Sequence, residues 1–325
     1  MTGSQTTQML SNMNQPDPER SSLEYKCQIC NYETENPSSE ELGAARGNTT
    51  RFKETLFRLW QCPRCKTIHS TGPVDFADIY KDYPLNRRRL DIFARHTLRN
   101  LLRRLVKAGL KKTDAILDYG CGNGILLQFL RANGYLNVSG FDPFVGEFST
   151  LPDTLFDCVV ANDVIEHCPS PREMIADCLS KLKPGGILYV GTADAGGVRM
   201  DNLEPHIMRL HLPFHRVVMT QKSLNRLATS FPVELLFTYT RSYMDTLYPF
   251  ANYRFLDEFN KALGHEMDRA FDPASAKVIL QKPSLIFFVL FGYLFPSASE
   301  PAVVLKKLEF QKHKGALCRA PLVHV

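Results

Sequence analysis

The chain has 325 residues, 44% of them apolar, enough for a sizeable core and long for a single compact one. A net charge of +5 is too mild for a chain built around a polyanion, so nucleic acid is not an expected partner. Nine cysteines, an odd number at irregular spacing, argue against a disulfide scaffold made for secretion.

Residues 1–23 are rich in Ser, Thr, Asn, Gln and Pro and lack the apolar stretch of a secretory signal. They read as a disordered tail, and the chain as cytoplasmic. Two Cys-x-x-Cys pairs follow, Cys27/Cys30 and Cys62/Cys65. Thiolates two residues apart can face one ion, and a second pair completes a closed tetrahedral site. Residues 24–72 are therefore expected to form a zinc ribbon, with a strand through Leu56, Leu59 and Trp60 feeding the second pair. A closed four-thiolate site makes the Zn2+ structural.

Residues 73–325 are expected to form the main domain. Tyr80 and Tyr83 lie in its entry segment. From Arg87 to Lys112 apolar residues recur at helical spacing, with arginines on the other face, and predict a basic surface helix. From Ala115 the pattern becomes strand, turn, helix. Strands are predicted at Ala115–Asp118, Val138–Asp142, Phe156–Ala161, Ile187–Gly191 and Val233–Tyr239. Helices are predicted at Ile125–Ala132, Glu173–Leu182 and Ser223–Thr229, with Pro184-Gly185-Gly186 as the turn before the fourth strand. Alternation of this kind implies a parallel sheet covered on both faces. Ala302–Leu308 is a candidate partner for the strand at 233–239. An excursion near 243–300 separates the two, and its aromatics, Tyr243, Tyr248, Phe250, Tyr253 and Phe255, are candidates for an acceptor site. The apolar run at 284–295 is about half the ~20 residues of a membrane span. It reads as a buried or acceptor-facing helix, with a membrane-surface or oligomer contact as the alternative, and no transmembrane segment is expected.

The chemistry is concentrated after the first strand of that pattern. Asp118 is followed by Gly120-Cys121-Gly122-Asn123-Gly124, a turn whose glycines let a ligand approach the backbone. A dinucleotide loop needs a glycine where Ile125 stands. A pyrophosphate would be repelled by Asp118, whereas a cationic aminocarboxypropyl group would be attracted. Asp142, at the end of the next strand, is placed to accept both hydroxyls of a ribose. Acid, loop and second acid together suit S-adenosylmethionine.

The stretches LDYGCGNG (Leu117–Gly124), GFDP (Gly140–Pro143), FDCVVANDVIEHCPSP (Phe156–Pro171) and LKPGGILYVGT (Leu182–Thr192) stand in the order found in class I S-adenosylmethionine-dependent methyltransferases. The region from about 80 to 240 resembles that family, and within it the small-molecule branch that includes the quinone-biosynthesis enzymes. The resemblance implies an α/β fold: a Rossmann-like parallel sheet with a terminal antiparallel strand, here with a small N-terminal zinc ribbon. It implies that Asp118 and the backbone of Gly120 and Gly122, with Cys121 between them, hold the methionine end. Asp142 would hold the ribose, Asn162 would lie near the sulfonium, and Glu166-His167 beside the cofactor. The segment between Asp142 and Phe156 is shorter than the family's, which leaves the adenine pocket as the unusual part.

The expected activity is methyl transfer to a small molecule, at oxygen. Such a reaction needs donor and acceptor aligned, and a base for the acceptor's proton. His215 and His167 are the candidates, with His206 and His211 behind them. Two rivals are a protein or RNA methyltransferase and an inactive binding module whose shortened segment has closed the adenine pocket. No Asn-Pro-Pro-Tyr-like tetrapeptide follows the third strand, which disfavours N-methylation of bases or glutamine. Cys158, Cys168, Cys178 and Cys318 read as small packing residues.

Overall fold

The computed structural model describes residues 25–295 and 299–309. The expected tail and Cys318 lie outside these residues. The chain opens with a two-residue hairpin, β1 (Tyr25–Lys26) and β2 (Glu33–Thr34), then β3 (Leu42–Arg46), β4 (Leu56–Gln61) and β5 (Ile68–Ser70). Helices α1 (Phe76–Tyr80) and α2 (Ile92–Lys107) follow, then β6 (Ile116–Tyr119), α3 (Ile125–Ala132), β7 (Val138–Phe141) and β8 (Phe156–Asn162). Next come α4 (Pro171–Ser180), β9 (Leu182–Gly191), α5 (Ile207–Leu210), β10 (Val217–Val218), α6 (Gln221–Ala228) and β11 (Val233–Arg241). The excursion carries α7 (Tyr253–Ala262), α8 (Lys277–Gln281) and α9 (Pro283–Phe291) before the last described strand, β12 (Ser299–Lys307).

The main sheet runs in the order β11-β12-β9-β8-β6-β7. Strands β7, β6, β8 and β9 are parallel, and β12 is antiparallel to both β9 and β11. Successive residues of a strand face opposite sides, so each side has its own core. On one face Leu117, Val159, Leu188 and Val303 pack with Met174 and Ile175 of α4 and Leu224 of α6. On the other, Ile116, Val160, Tyr189 and Val304 pack with Leu98, Leu101 and Leu105 of α2 and Leu127 and Phe129 of α3. Burial of both faces is why the middle of β8, Cys158–Ala161, reads as an unbroken apolar run.

Side-chain caps fix the helix starts. Asp91 accepts from Ala94 N–H at 2.8 Å, and Ser170 accepts from Glu173 N–H at 3.4 Å. This moves two expected boundaries. The basic helix begins only after its cap at Asp91, and the helix expected at 173–182 begins with Pro171 and ends at Ser180. Pro184-Gly185-Gly186 is not a turn before a strand but an irregularity within β9, opposite a register shift in β8, with Gly185 at φ +74. The arginines of α2 are not all solvated. Arg104 is buried, donates to Tyr189 Oη at 3.1 Å and Arg241 O at 2.6 Å, and lies over the Tyr239 ring.

The expected boundary at residue 72 does not separate two cores. Strand β10 pairs with β5, giving a second sheet in the order β10-β5-β4-β3. Arg216 ties the two parts further, donating to Ser70 Oγ at 3.2 Å and to Gly72 O at 2.7 Å. Cys27, Ile29, Trp60 and Cys62 belong to the same apolar cluster as Leu117, Tyr119 and Phe141 of the main sheet.

The excursion has a small core of its own, in which Phe255, Leu285 and Val289 are buried. The rest of the apolar run is largely outside: Ile286, Phe287, Leu290, Phe291 and Leu294 are exposed. The run is therefore neither fully buried nor part of the acceptor cavity described below. Among the described residues no single helix is long and apolar enough to cross a membrane; α8 and α9 are bent by 99° at the break between them.

Candidate functional site

Strand β6 ends in the middle of the parallel half of the sheet, at the carboxyl edge where open α/β sheets bind ligands. A cavity of about 600 Å³ opens there. Asp118, Gly120, Cys121, Gly122, Asp142 and Asn162 all line it, so every cofactor position read from the sequence meets in one place. Gly120 stands at φ +79, and a Cβ on it would lie 2.4 Å from Val164, so no larger residue fits. Gly122 stands at φ +50 with open space where a Cβ would be.

The first three amides of the loop are already used. Gly120 N–H and Cys121 N–H donate to Phe141 O at 2.7 and 3.0 Å, and Gly122 N–H donates to Asp142 Oδ2 at 2.9 Å. A phosphate site needs such amides facing the ligand. The strand end here instead presents the Asp118 carboxylate to the cavity. Asp118 is buried and makes no side-chain hydrogen bond or ion pair among the described residues. Burial, with a smaller effect from Asp142, pushes its pKa up to about 7. A buried carboxylate with no counter-charge calls for a cation from outside.

Asp142 also accepts from Phe144 N–H at 2.9 Å through Oδ1, so both its oxygens are held by backbone and keep lone pairs for a diol. Asn162 closes β8 and donates to Asp163 Oδ2 at 2.8 Å. Asp163 is a non-glycine residue at φ +57, a strained conformation at the cavity wall. Burial raises its pKa to about 6 against the opposing effect of Arg88. Burial alone would lower the pKa of Arg88, but Tyr243 and Asp163 raise it, so the guanidinium stays charged. Asn123, in the glycine loop, donates to Arg88 O at 2.8 Å and to Asn86 O at 3.1 Å, which clips the entry segment over the loop.

A second cavity of about 160 Å³ adjoins the first, with Tyr83, Arg88, Asp163 and His167 lining both. Its walls bring together His167, His211, His215, Glu166 and Glu300. His215 donates from Nδ1 to Arg209 O at 2.8 Å, and His211 from Nδ1 to Asn48 Oδ1 at 2.8 Å. His215 therefore keeps a bare Nε2, whereas His211 Nε2 accepts from Tyr83 Oη at 3.3 Å. His215 Nε2 lies 3.9 Å from Glu166 Oε1, and Glu166 Oε2 is buried without a partner among the described residues. His167 Nδ1 lies 2.7 Å from Tyr80 Oη and 3.2 Å from Phe214 O. One atom each of Glu166, His167 and His215 converge within 4.8 Å, close enough to share a divalent cation or to pass a proton through one bridging water.

Burial sets the charges here. It lowers His167 to about 4 and His215 well below its ordinary value, and raises Glu166 to about 8, with Asp163 adding to the last. The histidines are neutral acceptors, and the carboxylate is the stronger base of the His215–Glu166 pair. His206 lines neither cavity. Of the excursion's aromatics, Tyr243 and Tyr253 reach the cavities. Tyr248 stacks on His96 with centroids 3.6 Å apart, and Phe255 is in the excursion's own core.

The four expected metal ligands also meet. Cys27 and Cys65 Sγ lie 3.4 Å apart, Cys30 and Cys62 Sγ 3.6 Å, and all four within 4.8 Å. Tetrahedral zinc with bonds of about 2.3 Å sets its sulfurs about 3.8 Å apart, so the cage fits. The two knuckles share one geometry. After each pair a left-handed residue, Asn31 or Lys66, donates its N–H back to the first cysteine's carbonyl, at 3.0 and 2.9 Å.

Sequence reading passed over Arg88, Asp163 and Glu300. Asp163 sits in the stretch that resembles the family and could have been weighed. Arg88 is one of three consecutive arginines with nothing to single it out, and Glu300 is a lone acid before an apolar run.

Residues 90–234 match a family model described as a methyltransferase domain. Ubiquinone biosynthesis O-methyltransferase of Coxiella burnetii is 29% identical over 104 residues, covering 25% of this chain and 44% of the relative. The enzyme of the same name from Psychrobacter cryohalolentis is 29% identical over 126 residues, covering 29% of this chain and 49% of the relative. The chain thus spans less than half the length of these curated relatives. Among solved structures, the plantazolicin methyltransferase BpumL in complex with SAH shares 14% identity at a TM-score of 0.43, covering 71% of this chain and 90% of that one. A putative sarcosine dimethylglycine methyltransferase from Galdieria sulphuraria shares 16% at 0.41, covering 65% and 84%. Residues 90–234, with their acid–glycine loop–acid arrangement on a mostly parallel sheet, form a methyltransferase domain.

Proposed function

We propose that the chain methylates a small-molecule acceptor at oxygen, with S-adenosylmethionine as donor. The observation that carries this reading is the glycine loop, which spends its amides internally and presents a buried, unpaired Asp118 to the cavity. Bound S-adenosylmethionine would supply an electrophilic methyl group on a cationic sulfur. Asp118 and the Gly120 carbonyl would accept from its amino group, Asp142 would accept from the ribose hydroxyls, and Asn162 would lie beside the sulfonium. Tyr80, Tyr83 and Tyr243 would position the acceptor in the volume they line. The acceptor's proton would go to the Glu166–His215 pair, with His167 at the junction of the two cavities orienting the hydroxyl.

A cavity of about 600 Å³ is in the range of small-molecule sites, which favours this reading over a polymer substrate. The shortened segment at 143–155 leaves the cavity open, which speaks against an inactive module. The names of the relatives agree with oxygen as the methylated atom. We also assign a structural zinc to Cys27, Cys30, Cys62 and Cys65 on the size of their cage.

Purified protein should contain about one zinc per chain by elemental analysis. A metal-free protein with the same melting temperature would remove the zinc assignment.

Asp118 carries a pKa raised from 3.8 to about 7, so its contribution to stability is fully present below the unfolded value and is lost as pH rises through 7. Asp118→Asn should therefore stabilise the unliganded protein more at pH 8 than at pH 5, by on the order of 1–3 kcal/mol in urea unfolding. The same variant should lose S-adenosylhomocysteine binding. An Asn variant that is less stable at pH 8, or that binds as wild type does, would contradict the role given to Asp118.

His215→Ala and Glu166→Gln should each cut methyl transfer by about 100-fold or more while changing cofactor affinity less than threefold, as expected of a general base. Turnover equal to wild type in both would place the base elsewhere.

A further inference from the structure

Strand β7 is the edge of the main sheet, and the segment after it, residues 143–155, carries only a single 3-10 turn at Gly146–Phe148. Among the described residues no further strand stands beside β7 to close the cavity on that side. Phe144, Val145 and Ser149 line it there, and another lining residue comes from far away in sequence: Gln28, in the first cysteine knuckle. Gln28 shares the cavity with Tyr119, Phe141, Ser170, Glu173 and Met174.

The backbone at Gln28 is held firmly. Cys27 and Cys30 flank it and both are buried, as is Ile29. Cys27 N–H donates to Tyr32 O at 2.8 Å, and Asn31 N–H donates to Cys27 O at 3.0 Å. The Gln28 side chain is half-buried and makes no hydrogen bond among the described residues. A carboxamide offers one donor and one acceptor side by side. Adenine presents the complementary pair, the N6 amino group beside a ring nitrogen, and Gln is a standard partner for that edge. Tyr119, Phe141 and Met174 supply apolar surface for the ring faces. Ser170 is occupied as the cap of α4, which leaves Glu173 as the other polar side chain from that wall.

We propose that the first cysteine knuckle is a wall of the adenosine pocket and that Gln28 reads the adenine edge. The metal ribbon thereby takes the place of the strand and loop missing after β7. This inference rests on reading the cavity as the S-adenosylmethionine site. It ties cofactor affinity to the integrity of the knuckle, because the cysteines that hold a metal also fix Gln28.

The test is calorimetric titration of the full chain with S-adenosylhomocysteine and with 5′-methylthioadenosine, which has the same adenine but no amino acid end. Gln28→Ala should weaken both ligands by the same factor, about tenfold, with an unchanged melting temperature. Asp118→Asn should weaken S-adenosylhomocysteine far more than 5′-methylthioadenosine. A Gln28→Ala protein that binds both ligands as tightly as wild type overturns the inference, and so does one that loses affinity for S-adenosylhomocysteine alone. If wild-type protein binds neither ligand, the assignment of the cavity fails and this inference with it; unchanged affinity in the variant alone leaves that assignment standing.

Discussion

A carboxylate buried at the end of β6 with no cation of the described residues against it is the constraint on which the site turns. Burial of an unpaired charge is costly, and Asp118 shows the cost in its raised pKa. A fold keeps such a group only where something outside the chain repays it, and its surroundings specify the chemistry of that ligand. The neighbouring amides are withdrawn into bonds with Phe141 and Asp142, so the loop is ready for a cation and unready for a phosphate. The glycines serve the same end. At Gly120 they admit the close approach of Val164, and at Gly122 they leave the ligand's side open.

Around that centre the chain has rearranged its supports. Among the described residues the sheet stops at β7, and the cysteine ribbon, through β10, Arg216 and a shared apolar cluster, is built into the body of the main fold rather than hung from it. The excursion between β11 and β12 plays a different part. Tyr243 and Tyr253 reach inward to the cavities, while α9 turns most of its apolar side chains outward. The smaller cavity is thus assembled from the entry segment, the stretch after β8, the segment before β10 and the excursion. A change of acceptor could come from any of these without disturbing the cofactor loop.

Much of this was legible before any coordinates. Helix α3 falls on the residues its period predicts, and the pairing of β11 with 302–308 is found as expected, because both rest on local pattern. The Asp118, Gly120, Gly122 and Asp142 positions were legible because the chemistry needs those residue types at strand ends. The four cysteines were legible because their spacing has few other uses. What escaped depended on distant packing. Arg104 reads as one more solvated arginine, yet its guanidinium is enclosed between α2 and the sheet. His167 and His215 read as bases poised near neutrality, and only their burial shows that they are neutral acceptors beside a raised carboxyl at Glu166. Gln28 gave no signal at all, since Tyr119, Phe141, Ser170, Glu173 and Met174, with which it shares the cavity, are distant in sequence.

The most direct measurement is a crystal structure of the full chain with S-adenosylhomocysteine. The account predicts the ligand's amino group on the Asp118 carboxylate and the Gly120 carbonyl, its ribose hydroxyls on Asp142, and its sulfur toward Asn162 and the histidine chamber. A ligand bound elsewhere, or one lying in this cavity with its amino acid end away from Asp118, would contradict it.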